Sequence, residues 1–166
     1  GDFIFSLPAL HALRYSYPTA EIWYAGKQWH SDFMTARPGP IDRVVVVPPV
    51  PGVGAHPNAE VDQFAVVAFV DAMRSEGFDL AVQMYGGGRY SNPFIKKLGA
   101  KVTIGARTPD AAMLDRWIAY GEFNNRRLEM LEMVALAGAT HWRMGHDLQV
   151  TSNDRLEAAT AFPDTH

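Results

Sequence analysis

Cysteine does not occur among the 166 residues, which excludes disulfides, thiolate metal sites and a cysteine nucleophile. No apolar run approaches the roughly 18 residues that a membrane-spanning helix needs. The start carries neither a basic n-region nor a small-residue cleavage pattern, so no signal peptide is expected and a cytoplasmic location is consistent. An excess of one charge is lacking too: 15 Lys and Arg face 18 Asp and Glu, a formal net charge of −3. Without a broad basic field, nucleic acid is a poor partner, although local basic spots can still hold an anionic substrate. Sequence repeats and low-complexity tracts are absent as well. What remains is ordinary for a globular protein, with 48% hydrophobic and 20% charged residues. The length suits one domain that buries about 70% of its unfolded surface.

Short β-rich runs alternate with helix-period segments, which predicts strands near 20–25, 43–47, 79–84 and 101–105. Val44 to Val47 place four β-branched residues in a row before Pro48-Pro49, a pattern that suits a strand covered on both faces. The expected core includes Val44, Val46, Leu80, Val82 and Ile104. Residues 48–57, rich in Pro and Gly, are expected to form a loop. Asn58 is placed to cap a helix that reaches about Ser75, with Gly77 at its end. Gly86-Gly87-Gly88 then lead into a helix from about Tyr90 to Leu98. Residues 106–123 carry no clear period and predict a long surface loop. Asn124 or Asn125 can cap a last good helix that ends at Gly138. The tail from Thr151 holds a weaker helical segment around Asp154 to Ala159. Such alternation predicts an α/β fold, Rossmann-like, with a doubly wound parallel sheet and right-handed crossovers.

Two places carry chemistry. Asp2, beside Gly1, opens directly into an apolar helix-period segment. Its carboxylate, with a reference pKa of about 3.9, can take a proton at neutral pH. The same residue also fits a plain helix cap, and accepting backbone N–H bonds lowers basicity. The second place is Gly86-Gly87-Gly88-Arg89-Tyr90-Ser91. Glycines after a strand let backbone N–H groups approach a ligand, and Arg89 adds a planar cation suited to carboxylate or phosphate. A tight turn explains the glycines equally well; the run is neither a Walker A loop nor GxGxxG. Lys27, Trp29 and His30 follow the first predicted strand, where Trp29 can stack on a sugar or merely pack. His11 reads as a partly buried surface histidine. His141 and His146 miss the i, i+4 spacing of a helical metal pair. Arg126 and Arg127 oppose the dipole of the helix they start, and an exposed placement there is the simpler account.

The order Gly1-Asp2, Pro8-Ala9-Leu10, Ala12-Leu13-Arg14, Pro18, Ala20 and Ile22 closely resembles the opening of glycosyltransferase family 9, the ADP-heptose:lipopolysaccharide heptosyltransferases. Ile41-Asp42-Arg43-Val44, Phe78-Asp79-Leu80-Ala81 and the stretch from Leu128 to Gly138-Ala139 continue the resemblance along nearly the whole chain. It implies the N-terminal half of a GT-B fold, in which a first strand precedes the Gly-Asp turn; this chain reads as starting one element later. It implies residues 1–150 as an acceptor-binding domain and 151–166 as the approach to a donor-binding domain. Asp2 becomes the presumed catalytic base of an inverting transfer. Gly87, Gly88, Arg89, Tyr90, Ser91, Lys27 and Trp29 become acceptor-binding residues. The implied partners are a nucleotide-sugar donor and an anionic saccharide or glycolipid acceptor, with peripheral contact at the cytoplasmic face of the inner membrane. The family's chemistry implies no metal and no cofactor. A sugar- or nucleotide-binding α/β module without catalysis is the alternative.

Overall fold

The computed structural model describes residues 2–143, 145 and 148–162. Its elements run in the order α1 (Asp2–Ser16), β1 (Trp23–Gly26), α2 (Gln28–Met34), β2 (Arg43–Val46), β3 (Val50–Pro51), β4 (Gly54–Ala55), α3 (Gln63–Glu76) and β5 (Leu80–Gln83). They continue with α4 (Ser91–Lys97), β6 (Val102–Arg107), β7 (Arg116–Ala119), α5 (Arg126–Ala135) and α6 (Ser152–Ala161). Gly1 and His146 lie outside the described residues, so the Gly-Asp turn and the His141–His146 spacing are not described.

The strands pair in parallel, as their apolar runs predict. β1 lies against β2 with Trp23 opposite Arg43 and Gly26 opposite Val46. A second sheet has the order β5-β6-β7, with Leu80 opposite Val102 and Ile104 opposite Arg116. β3 and β4 form a short pair of their own. Among the described residues no ladder joins β1 to β5, so the parallel layer comes as two half-sheets. α1 bridges them on one side. Phe3, Leu7 and Leu10 pack toward Tyr24 and Val44, while Ala9, Ala12 and Leu13 meet Met130, Leu131 and Val134 of α5 over Leu80 and Val82. The small alanines let the two helices approach closely. Near the strand starts, Trp23 and Phe78 touch edge to face with centroids 5.2 Å apart. The two half-sheets therefore begin side by side.

Most of the expected elements appear, with local corrections. The helix expected from Asn58 starts later, because Asp62 supplies the cap: its carboxylate accepts from the N–H groups of Phe64 (2.9 Å) and Ala65 (3.1 Å). Gly77 closes it as expected. Residues 106–123 are not one loop, since β7 lies within them. Only Ile118 of this edge strand packs inward, which leaves too little apolar pattern to read. Residues 48–57 hold β3 and β4, and the seven-residue α2, which buries only His30 and Met34, also lacked a legible period. Of the expected core, Ile104 is fully buried and Val44, Leu80 and Val82 are half-buried, but Val46 is 40% exposed. It is the last residue of an edge strand and lies beyond the cluster that covers Val44.

Candidate functional site

The glycine run leaves the carboxyl end of β5 and is held from below. Gln83, buried, donates through Nε2 to Tyr85 O at 2.8 Å and to Ser91 Oγ, while its Oε1 accepts from Tyr85 N at 3.2 Å. Ser91 Oγ donates back to Tyr85 O at 3.0 Å. Thr108, the first residue after β6, donates its N–H to Gly87 O at 2.8 Å, and its hydroxyl reaches the same oxygen at 3.1 Å. Two of the glycines are required by their surroundings. A Cβ on Gly87 would stand 2.6 Å from Thr108 Cγ2. Gly88 has φ +89° and would place a Cβ 2.3 Å from the buried Asn92 amide. Asn92 itself donates to Ala106 O (3.2 Å) and Ala112 O (3.0 Å), tying α4 to the strand that follows.

Above this loop opens a cavity of about 300 Å³, lined by Gly52, Tyr85, Gly86, Gly87, Gly88, Arg89, Tyr90, Ser91, Thr108, Asp110 and Tyr120. Apart from Gly52, between β3 and β4, its walls come from the segments that follow β5, β6 and β7, the carboxyl edge at which open α/β sheets hold ligands. Tyr120 is fixed from behind by Arg126, which donates to the Tyr120 hydroxyl at 3.0 Å and stacks on its ring at 4.3 Å. Arg126 in turn pairs with the buried Glu129, whose Oε1 accepts from Gly121 N at 3.3 Å. This local partner explains a cation at the start of a helix. On the opposite wall Arg89 faces Asp110 at 3.7 Å. The Asp110 carboxyl is held below its ordinary value by the Thr108 hydroxyl, by its own backbone N–H and by the charges of Arg89 and Arg107.

The structure thus gathers Gly87, Gly88, Arg89, Tyr90 and Ser91 around one cavity, and leaves Asp2, Lys27 and Trp29 out of its lining. Those three stand at the carboxyl end of β1, about an aromatic cluster. Phe3 meets Tyr24, Trp29, His30 and Phe33 edge-on at 5.2–6.3 Å. Trp29 stacks on His30 at 3.6 Å and keeps half its surface exposed. His30 accepts the Lys27 N–H on Nδ1 at 2.9 Å, and burial lowers its pKa. Asp2 is exposed in the first turn of α1. Its charge reaches Tyr24, whose hydroxyl is pushed up to about 12 by burial first and by Asp2 second. His141 lies against Tyr15, ring centroids 5.8 Å apart. Among the described residues no three His, Cys, Asp or Glu side chains group as metal ligands, and no helix is long and apolar enough to cross a membrane.

Sequence reasoning missed Gly52, Tyr85, Thr108, Asp110 and Tyr120. Thr108, Asp110 and Tyr120 fall in the stretch read as a loop. Recognition of Arg116–Ala119 as a strand is the signal that would have placed Tyr120 at the carboxyl edge.

No protein-family model and no curated protein matches the chain. Among solved structures, it is similar to the crystal structure of the glycosyl transferase family 9 from Veillonella parvula DSM 2008, with a TM-score of 0.69 at 16% identity. The likeness covers 98% of this chain and 45% of that one, so this chain spans a little under half of its length. At that identity the shared property is the fold, an α/β arrangement of the GT-B kind. The family named there is the one that the opening residues resemble.

Proposed function

We propose that this chain is the acceptor-binding half of a GT-B glycosyltransferase that moves heptose, or a related sugar, from a nucleotide-diphosphate donor to a saccharide acceptor. The observation that carries the reading is the cavity at the carboxyl edge of β5, β6 and β7, built on a hydrogen-bonded glycine loop within a fold shared with a family 9 transferase. A lipopolysaccharide-core acceptor and ADP-heptose as donor follow from the resemblance of the opening residues. The donor's diphosphate is held by a second half, so this chain alone is inactive. Helix ends and basic groups there stabilise the leaving diphosphate, and no metal is needed. The work is done at the cytoplasmic face of the inner membrane, with peripheral contact to the lipid-linked acceptor.

In this reading Asp2 takes the proton of the acceptor hydroxyl as that oxygen attacks the anomeric carbon; the bond to the diphosphate breaks on the opposite face, and configuration inverts. Support comes from an exposed carboxylate whose charge reaches Tyr24 of β1. The test is Asp2→Asn in the two-domain enzyme. An amide keeps the shape but cannot take the proton, so kcat is expected to fall about 10²–10⁴-fold with donor KM unchanged. Activity within a few-fold of wild type would make Asp2 structural.

A further inference from the structure

The cavity is small, at the lower end of the ~300–1,000 Å³ usual for ligand clefts, and its wall is aromatic and hydroxylated rather than cationic. Three tyrosines line it, Tyr85, Tyr90 and Tyr120. Among the described residues its charged lining groups are Arg89 and Asp110, one of each sign, facing each other at 3.7 Å. The cations of the neighbouring segments have hydrogen-bond partners of their own, while the charge of Arg107 also reaches Asp110. Arg107 donates to Ala111 O (2.9 Å) and Pro109 O (3.1 Å), which holds the segment that carries Asp110. Lys96 reaches Met113 O at 3.2 Å, and Arg126 is paired with Glu129 behind Tyr120. The two charges of the lining therefore offset each other.

We propose that this cavity binds an uncharged sugar ring, with Asp110 accepting hydrogen bonds from the ring's hydroxyls and Arg89 donating to one of its oxygens. The inference rests on the reading of the cavity as the acceptor site and names the class of group it takes. An ionised carboxylate offers about four lone-pair sites, and Thr108 and Arg89 leave some of them open. Neighbouring ring hydroxyls meet two oxygens of one carboxylate well. Tyrosine rings supply flat apolar surface to the C–H face of a sugar while their hydroxyls bond at its edge. A phosphate or carboxylate group here would face Asp110 as a like charge, and would have to compete for Arg89 with a partner already in place. The acidic groups that the family resemblance implies for the acceptor would then lie outside the cavity, and the ring inside it would be neutral.

Amide NMR of the chain tests this, with methyl pyranosides, sodium glucuronate and inorganic phosphate as probes. Neutral methyl glycosides are expected to shift the amides of Gly86, Gly87 and Gly88, with glucuronate at least tenfold weaker and phosphate without effect. Asp110→Asn is expected to weaken the glycosides about tenfold and to tighten glucuronate several-fold; the unchanged remainder of the spectrum reports that the variant is folded. Arg89→Ala serves as a second variant, expected to widen the preference for the neutral ring. Tighter binding of glucuronate or phosphate at the same amides would overturn the proposal and leave the acceptor reading standing. No response of these amides to any probe would overturn both.

Discussion

Arg14 at the end of α1 and Asp42 at the entry to β2 form an ion pair that joins two motifs 28 residues apart. Asp42 Oδ2 also accepts from Ile22 N at 2.7 Å, and Arg14 donates to Ala20 O (2.6 Å) and Pro40 O (3.1 Å). One carboxylate and one guanidinium thus set where α1 turns into β1 and where β2 starts beside it. The Ile22 amide first, then Arg14, holds the Asp42 carboxyl below its ordinary range. Asp42→Ala leaves the amide and the guanidinium without this acceptor. The expected loss is about 1–2 kcal/mol, discounted for the pair's partial exposure, read as a lower midpoint in urea unfolding with an unchanged slope. A variant as stable as wild type would show the pair to be incidental.

The alkaline limb of stability reports on Tyr24. Its folded pKa is raised from 10.0 to about 12, so the stability tied to its neutral form is complete below pH 10 and is lost as pH rises toward 12. Tyr24→Phe retains the ring and removes the titration. The variant is expected to lose less stability than wild type between those pH values, followed by circular dichroism. Parallel profiles would mean that Tyr24 ionises freely.

Gly88→Ala meets two obstacles, a φ of +89° and an Asn92 amide 2.3 Å from the new Cβ. Strained backbone and overpacking together predict a loss of about 2–4 kcal/mol, seen as a fall in melting temperature. Neutral behaviour of this variant would show the loop to be far more compliant than its hydrogen bonds indicate.

α6 buries no residue and is tied to the rest of the chain through Arg37. Arg37, whose side chain is only 6% exposed, forms two hydrogen bonds of 2.7 Å with Asp154, and also reaches Gln149 O at 2.6 Å. The Asp154 carboxyl is held well below the usual carboxylate range, chiefly by Arg37 and then by the Thr151 amide. This stability is present above the ordinary carboxylate pKa and lost only as pH falls far below it, so the tie survives mild acid. Asp154→Ala is expected to speed hydrogen exchange in residues 150–162 while leaving the rest of the chain unaffected. Unchanged exchange there would place the anchor elsewhere.

Strong periodicity and residues with special backbone or capping roles made most of this fold legible. The strand at β2, the buried Ile104 and the cap at Gly77 could be read directly, because each reports a local physical demand, and the cap of α5 was narrowed to Asn124 or Asn125, of which Asn125 serves. The half-exposed edge strand β7 and the short α2 could not, since each buries one or two side chains and tertiary contacts fix it. The cavity was half legible for the same reason. Its glycine floor is contiguous in sequence, whereas Asp110 and Tyr120 reach it only because β6 and β7 pair. Asp42 was visible as part of a motif, but its function as an anchor for Arg14 and Ile22 emerges only from the fold.

Calorimetric titration of this chain with ADP-heptose, and in parallel with neutral saccharides, tests the division of labour most directly. If this half holds the acceptor and another half the diphosphate, saccharide binding is expected at millimolar concentration and weakened about tenfold by Asp110→Asn, while ADP-heptose gives no heat in the same range. Micromolar binding of ADP-heptose would contradict the account, because the donor site would then lie among these residues.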